Sequence, residues 1–177
     1  MSSSPATEKR VLSIDPTHRG FGYVVLEGSE HLIDWGVRHV QGAKNKASIQ
    51  AADELMSFYR PQILVLEDVS SKNCRRRKRV RNLIEALDQL GRSRGLSVRK
   101  LAQTKVKRTL SVSNKAQMAQ AIAARFPELS SRLPPERKPW MSEHLTMAIF
   151  DAAAFALALF SGVNHASAAR KRSPIVQ

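Results

Sequence analysis

The chain has 177 residues, enough for one domain whose core can fold without disulfides or metals. It carries 29 Lys and Arg against 15 Asp and Glu, a formal charge of +14 that attracts polyanions. No apolar run reaches the ~18 residues of a membrane span, and the single cysteine, Cys74, cannot form an internal disulfide. We therefore expect a nucleic-acid-binding protein with a cytoplasmic, nucleoid-associated location, and not a membrane or disulfide-stabilised protein.

The first half of the sequence predicts three strands, a helix and a fourth strand. Short apolar runs separated by turn sequences predict the three strands, and such short connections favour an antiparallel meander. These runs are 11–15, 21–26 and 31–37. Helical spacing of apolar residues predicts a helix over 47–58, which Pro61 ends. Residues 63–66 are a continuous aliphatic run, typical of a strand buried on both faces.

The second half predicts three helices and a fifth strand, connected by polar loops. Apolar stripes predict helices over 80–90, 114–126 and 142–160. The predicted N-cap of the last helix is Ser142. The fifth strand is predicted at 96–102, and the basic loop 70–79 and the proline-rich loop 129–139 lie between elements.

This order of elements predicts a single α/β domain over residues 10–164, with a mixed five-stranded sheet flanked by helices. Residues 1–9 are predicted to be a disordered tail, and 165–177 a basic tail. No Gly-x-Gly-x-x-Gly follows the first strand, which disfavours a dinucleotide-binding fold.

Three acidic residues lie in apolar surroundings, where an unpaired carboxylate is costly. Asp15 ends the first predicted strand, Glu67 ends the fourth, and Asp151 interrupts the apolar last helix. The simpler interpretation of Asp15 is a turn former before Pro16, and that of Glu67 is a solvated strand end. Asp151 has no such simple interpretation, because a charge in an Ala-rich helix requires a partner. Asp68 competes with Glu67, because successive strand residues point to opposite faces.

Together these acids predict a metal site. Hard carboxylate oxygens suit Mg²⁺, for which Mn²⁺ can substitute. Two such ions stabilise both the attacking and the leaving oxygen of phosphoryl transfer. A chain that binds nucleic acid and carries this cluster is expected to cut phosphodiester bonds.

Several short segments follow one another in a recognisable order. They are VLSIDP at 11–16, GFGY at 20–23, ILVLE at 63–67, GRSRGL at 91–96, VK at 106–107, NKAQM at 114–118 and DAAAFAL at 151–157. In this order they resemble the RuvC-type Holliday-junction resolvases over roughly residues 10–160. The resemblance implies an RNase H-like fold, Mg²⁺ dependence, a homodimer and cleavage of branched DNA.

The resemblance also implies residue roles. Asp15, Glu67 and Asp151 match the family's acidic positions. Lys115 matches a lysine near the phosphate, where it would stabilise transition-state charge, with a solvated helix start as the alternative.

One expected ligand is missing from the sequence. The family carries a fourth metal ligand one turn before the last aspartate, and Ala148 stands there instead. Either Glu143, a candidate metal ligand, or His144 could take its place. His144 is also a candidate catalytic residue that orients water or a phosphate. The alternatives are a helix-dipole partner for Glu143 and a polar surface residue for His144.

The family's junction-wedging aromatic after the second acid is missing: Ser70, Ser71, Lys72 and Asn73 stand there instead, and a basic run follows closely. The run consists of Arg75, Arg76, Arg77, Lys78 and Arg79. With Lys107 it predicts phosphate contacts, which give affinity and not base sequence; a solvated face is the alternative. Trp140 is predicted to anchor the proline-rich loop, with stacking on a base as its alternative.

The leading hypothesis is a Mg²⁺-dependent endonuclease acting on structured DNA, a Holliday-junction resolvase that dimerises through the helix over 80–90. Two rivals stay open: an RNase H- or transposase-like nuclease on the same fold, and a DNA-binding protein whose nuclease site has decayed. The missing fourth ligand favours the second rival.

Overall fold

The structure is a computed structural model that describes residues 8–70, 72 and 74–170, with side chains as far as residue 162. Most of the predicted N-terminal tail and residues 171–177 of the predicted C-terminal tail lie outside the described residues. Within the described part, no helix combines the length and the apolarity that a membrane crossing requires.

The centre of the fold is a mixed five-stranded sheet in the order β3-β2-β1-β4-β5. Its strands are β1 (Arg10–Thr17), β2 (Gly20–Glu27), β3 (His31–His39), β4 (Ile63–Glu67) and β5 (Ser97–Leu101). The first three form the predicted antiparallel meander, whereas β4 pairs in parallel with both β1 and β5. The predicted mixed sheet is therefore confirmed.

Helices cover both faces of this sheet. They are α1 (Lys44–Tyr59), α2 (Lys78–Ser93), α3 (Gln103–Thr109), α4 (Lys115–Arg125) and α5 (Met147–Arg170), with a 3₁₀ helix over Pro127–Arg132. Successive strand residues point to opposite faces of the sheet, and each face has its own hydrophobic core. Val11 packs with α4 and α5 on one face, and Leu12 packs with α1 and α2 on the other. The apolar stripe of α2 is buried against the chain's own sheet, so that stripe is not available as a dimer interface.

The last helix differs from its prediction at both ends. It begins at Met147 and not at Ser142, and it continues to Arg170, past the predicted end at 160 and into the predicted tail. Before the helix, the His144 ring accepts the Thr146 N–H at 3.3 Å, and the Met147 N–H bonds the His144 carbonyl at 3.0 Å. These local bonds hold residues 144–147 in a tight turn, so the predicted cap at Ser142 is wrong.

Two short helices were not predicted. The helix α3 lies between β5 and α4, and the 3₁₀ helix occupies the first part of the predicted loop 129–139. Each has few residues, so neither carries a long apolar period that sequence patterning could detect.

Candidate active site

The strand register brings Asp15 and Glu67 to the same edge of the sheet. Ser13 on β1 lies beside Val65 on β4 in the parallel pair. Asp15 and Glu67 each follow two residues later, so both carboxylates point to the face that α5 covers. Asp15 lies within β1, opposite Gly22, and does not end the strand as predicted.

Asp151 meets these two acids from α5. The exposed fractions of Asp15, Glu67 and Asp151 are 3%, 7% and 5%. A close approach between α5 and the sheet makes this possible, because an added Cβ on Gly22 would lie 2.4 Å from the Ala148 backbone. The three acids singled out in the sequence are thus buried and converge at one end of the β1–β4 pair.

Arg76, in the loop before α2, bridges the two strand acids. Its guanidinium donates to Asp15 Oδ1 at 2.5 Å and to Glu67 Oε2 at 2.6 Å. A third bond reaches the Pro16 carbonyl at 3.0 Å, and 22% of the arginine side chain is exposed. Such charge-assisted bonds are among the stronger hydrogen bonds in proteins. Arg76 is therefore an internal partner of the acids in this structure.

Lys115 makes the corresponding bridge on the helix side. Asn114 caps α4 by accepting the Gln117 N–H at 2.9 Å, which fixes the start of the helix next to α5. From there Lys115 Nζ donates to Asp151 Oδ2 at 2.7 Å and to Glu143 Oε1 at 2.5 Å. Glu143 precedes α5, so its predicted alternative as a first-turn dipole partner is wrong.

Burial is the main cause of the shifted pKa values of Asp15 and Asp151. Burial raises the pKa of Asp15, although Arg76 and Lys115 oppose it. Burial and the charge of Asp15 raise the pKa of Asp151 to about 7. Burial alone would lower the pKa values of Arg76 and Lys115. The surrounding carboxylates outweigh this effect, so the pKa values of both residues are raised. Both cations therefore stay charged, whereas the buried aspartates bind protons readily.

Asp68, the competitor of Glu67, does not join this cluster. Its Oδ1 accepts the Ser70 N–H at 2.9 Å, and hydrogen bonding to Ser70 lowers the pKa of Asp68. This separation follows from the alternation of side chains at the end of β4.

The predicted metal ligands are not arranged as a metal centre. Across the described residues, no three Asp, Glu, His or Cys side chains are grouped closely enough to hold an ion. The bonds given above explain this, because Arg76 and Lys115 take carboxylate oxygens of Asp15, Glu67, Asp151 and Glu143. The four predicted ligands do share one site, but two cations stand between them.

A cavity of about 160 Å³ opens above Asp15 and Asp151. Thr17 and His18, from the turn after β1, line it together with His144 and Ala148. His144 bonds Thr146 Oγ1 through Nδ1 at 2.7 Å, so this histidine is held at the rim of the cavity. Sequence reasoning overlooked Thr17 and His18. Their closeness to Asp15 in the sequence was the one feature that could have indicated their place at the site.

The basic run divides into inward and outward members. Arg76 faces the acids, and Arg79 donates to Asn45 Oδ1 at 2.9 Å and to the Thr17 carbonyl at 3.1 Å. The exposed members are Arg75, Arg77 and Lys78. Half-buried Lys107 lines a cavity of about 650 Å³ that also contains Glu67, Arg75, Arg76 and Lys115. Asp68 and Glu143 line the same cavity, so the groove that leads to the acidic site carries both cations and carboxylates.

Comparison with known proteins identifies the fold. Neither a protein-family model nor a curated protein sequence matches the chain. A structure of Thermus thermophilus RuvC matches with a TM-score of 0.63 at 17% identity, covering 89% of this chain and 96% of that one. T. thermophilus RuvC in complex with Holliday junction substrate also gives 0.63, at 18% identity, covering 90% of this chain and 97% of that one. The RuvC-like, RNase H-like α/β fold predicted from the sequence is confirmed.

Proposed function

We propose that this chain is a divalent-metal-dependent endonuclease that cuts structured DNA, in the manner of a Holliday-junction resolvase. The observation that carries the proposal is the convergence of three buried carboxylates, Asp15, Glu67 and Asp151, beside a groove that four cations line. Burying three acids together is costly even with cation partners, and clusters of carboxylates with shifted pKa values are typical of functional sites. The RuvC-like fold and the Holliday junction bound by T. thermophilus RuvC favour branched DNA as the substrate.

The donor set fits a divalent cation in chemistry and in charge. All four candidate ligands are carboxylates, the oxygen donors that Mg²⁺ and Mn²⁺ prefer. Four carboxylates with Arg76 and Lys115 leave a deficit of two positive charges, which a divalent cation would supply. Asp15, Glu67 and Asp151 would hold the ion, with Glu143 as the fourth ligand in place of Ala148. When bound, such an ion would stabilise the negative charge that develops on the reacting phosphate.

Arg76 has to give up its bonds for this purpose. It now occupies Asp15 Oδ1 and Glu67 Oε2, so an ion held by these two residues competes with the guanidinium for the same oxygens. Arg76 lies between the exposed Arg75 and Arg77, and a guanidinium released from the acids can pair with a DNA phosphate. Arg76 would thus connect the acidic site with the bound backbone.

Lys115 supplies fixed positive charge beside the reacting phosphate. Its ammonium is held by Asp151 and Glu143, and about a third of its side chain, 34%, is exposed toward the cavity. A positioned cation of this kind stabilises the charge that develops in phosphoryl transfer. His144, at the cavity rim, is placed to orient water or a phosphate oxygen.

We assign DNA binding to the cations of the basic run and of the groove, and we expect two copies of the chain to bind one junction. Arg75, Arg77, Lys78 and Lys107 contact phosphates, while Arg79 holds the loop by bonds to Asn45 and Thr17. Symmetric cutting of a four-way junction requires a homodimer. Since the apolar stripe of α2 is buried, a dimer through this helix would use its polar outer face. A nucleoid-associated location in the cytoplasm agrees with this substrate.

A DNA-binding protein with a decayed nuclease site is the second candidate. One specific observation favours it: within the described residues the acids pair with Arg76 and Lys115 and form no metal-ligand group. Such a protein would bind DNA tightly and leave it intact with any divalent metal.

The test compares Asp15→Asn with Asp68→Asn on a labelled four-way junction with Mg²⁺ or Mn²⁺. The two variants make the same chemical change. Asp68 lines the groove, but its carboxylate bonds the Ser70 N–H and, among the described residues, neither Arg76 nor Lys115. We expect Asp15→Asn to abolish cleavage with folding and binding retained, and Asp68→Asn to cut like the unaltered protein. Loss of the fold in Asp15→Asn would make the acid structural.

Matched duplex, flap and RNA–DNA hybrid substrates identify the reaction. Symmetric nicks confined to the junction support a resolvase. Cutting of the hybrid or of linear duplex alone would instead indicate the RNase H- or transposase-like nuclease.

A further inference from the structure

Trp140 lies on the surface, in the loop between the 3₁₀ helix and α5. Its exposed fraction is 78%, and its neighbour Met141 is 45% exposed. An indole with this exposure contributes little to the core, so the predicted role as a loop anchor is wrong. A large aromatic ring held in water instead suits recognition of a flat partner.

The loop adjoins the acidic site. Trp140 precedes Glu143 by three residues, which can span at most ~10 Å, and Glu143 bonds Lys115. A cavity of about 640 Å³ lies between this loop and α4. Its walls include Leu133 and Pro134, and it reaches Lys115 and Glu143. The loop that carries Trp140 therefore lies beside the acidic site, within one short chain segment of Glu143.

Local bonds hold the loop in a defined shape. The Met141 N–H bonds the Lys138 carbonyl at 3.0 Å, which closes a turn around Trp140. Arg137 Nε donates to the Met141 carbonyl at 2.7 Å. Lys138 Nζ lies 5.4 Å from the centre of the indole ring, a cation–π contact. One cation therefore lies over the exposed ring and a second belongs to the same turn, which favours a polyanion that carries flat rings over an apolar protein surface.

We propose that Trp140 stacks on an unpaired nucleobase of the DNA strand bound at the acidic site. The inference rests on the proposed function, because that function supplies the strand and its position. Stacking needs an exposed ring face and a nearby cation for the backbone. Trp140 is 78% exposed, and since Lys138 lies over one face of its ring, the base would stack on the other. Bases paired within a duplex hide their faces in the stack, so the contact selects DNA with unpaired or splayed bases.

Intrinsic fluorescence provides a direct readout. The chain has two tryptophans, so a Trp35→Phe background leaves Trp140 as the single reporter. In EDTA, which prevents metal-dependent cleavage, we expect an oligonucleotide with unpaired bases to quench this emission strongly and a fully paired duplex to quench it weakly. Binding with no quenching, or equal quenching by both DNAs, would overturn the stacking contact.

Affinity measurements with matched variants complete the test. We expect Trp140→Ala to lose about 10-fold in affinity for DNA with unpaired bases, and Trp140→Phe to keep most of it. Phe58→Ala is the control, because Phe58 is 79% exposed but sits at the far end of the sheet. The carbonyl of the next residue, Tyr59, accepts a hydrogen bond from the Arg10 side chain at 2.8 Å. Asp15 is five residues farther along β1, about 17 Å from Arg10, so Phe58 is remote from the acidic site.

The outcomes separate the two proposals. Unchanged affinity in Trp140→Ala, with tight DNA binding by the unaltered protein, would overturn the stacking role and leave the nuclease proposal standing. Absence of DNA binding in every variant, Phe58→Ala and the unaltered protein included, would overturn the proposed function itself. Emission that depends on protein concentration without DNA would mean that Trp140 contacts a second copy, which would also overturn the stacking role.

Discussion

Replacing Arg76 by Gln removes the cation that bridges Asp15 and Glu67 while keeping a polar side chain in the loop. Removing one partner from a buried ion pair costs about 3–5 kcal/mol, because the remaining charge stays buried and unpaired. Arg76 is 22% exposed, so we expect the lower end of that range, about 3 kcal/mol, for the metal-free protein at neutral pH. Denaturant unfolding in EDTA measures this loss.

The same substitution is expected to strengthen metal binding. In the unaltered protein an ion competes with two charge-assisted hydrogen bonds, each of which contributes roughly 1.5–3 kcal/mol. Losing even one such bond corresponds to about a 10-fold change in an equilibrium constant. We therefore expect Arg76→Gln to bind Mn²⁺ at least about 10-fold more tightly, and added Mn²⁺ to restore much of its lost stability.

Arg75→Gln is the matched control, since it makes the same change in charge at an exposed neighbour. It should leave both stability and Mn²⁺ affinity close to their original values. If Arg76→Gln is destabilised with no gain in Mn²⁺ affinity, Arg76 is a structural bridge and the acids are not a metal site. If Arg76→Gln loses no stability, the bridge to Asp15 and Glu67 does not form in solution.

Three further predictions follow from the site. Because the pKa of Asp151 is raised to about 7 from 3.8, the metal-free native state binds more protons than the unfolded state between these values and loses stability as pH rises through them. Asp151→Asn should therefore gain stability relative to the unaltered protein between about pH 4 and about pH 8 in EDTA, and a constant difference would contradict the raised pKa. Lys115→Gln should slow single-turnover cleavage by about 100-fold or more with little change in junction affinity, whereas an effect on affinity alone would make Lys115 a binding residue. Gly22→Ala should destabilise the fold by about 1–3 kcal/mol and reduce cleavage, because the new Cβ would force Ala148, and with it α5, away from the sheet; unaltered unfolding would contradict this close approach.

The parts of the fold that have a strong local pattern could be predicted from the sequence. Two apolar runs, one ending at Glu67 and one passing through Asp15, predicted the two strands. The structure shows that these strands, β4 and β1, pair in parallel and so lie side by side. The burial of Asp151 could be anticipated because an acid in an Ala-rich helix requires a partner. The meeting of the three acids was therefore within reach of sequence reasoning.

The partners of these acids could not be predicted in the same way. Arg76 is the second of five consecutive basic residues, and nothing in that run distinguishes it from Arg75 or Arg77. Arg76 and Asp15 are 61 positions apart in the sequence, and they meet only because the loop before α2 turns Arg76 toward the end of β1. Likewise, the start of α5 depends on His144 bonding the following turn, a contact that hydrophobic periodicity does not record.

The most direct test of the central claim is a titration of metal against cleavage of a four-way junction. The protein is first freed of metal with EDTA and then incubated with the labelled junction and increasing Mn²⁺. We expect no cutting without metal and symmetric nicks that increase with Mn²⁺ and are lost again in Asp15→Asn. A junction that stays tightly bound and intact at every Mn²⁺ concentration would contradict the nuclease proposal and leave a DNA-binding protein whose acids serve only to hold Arg76 and Lys115.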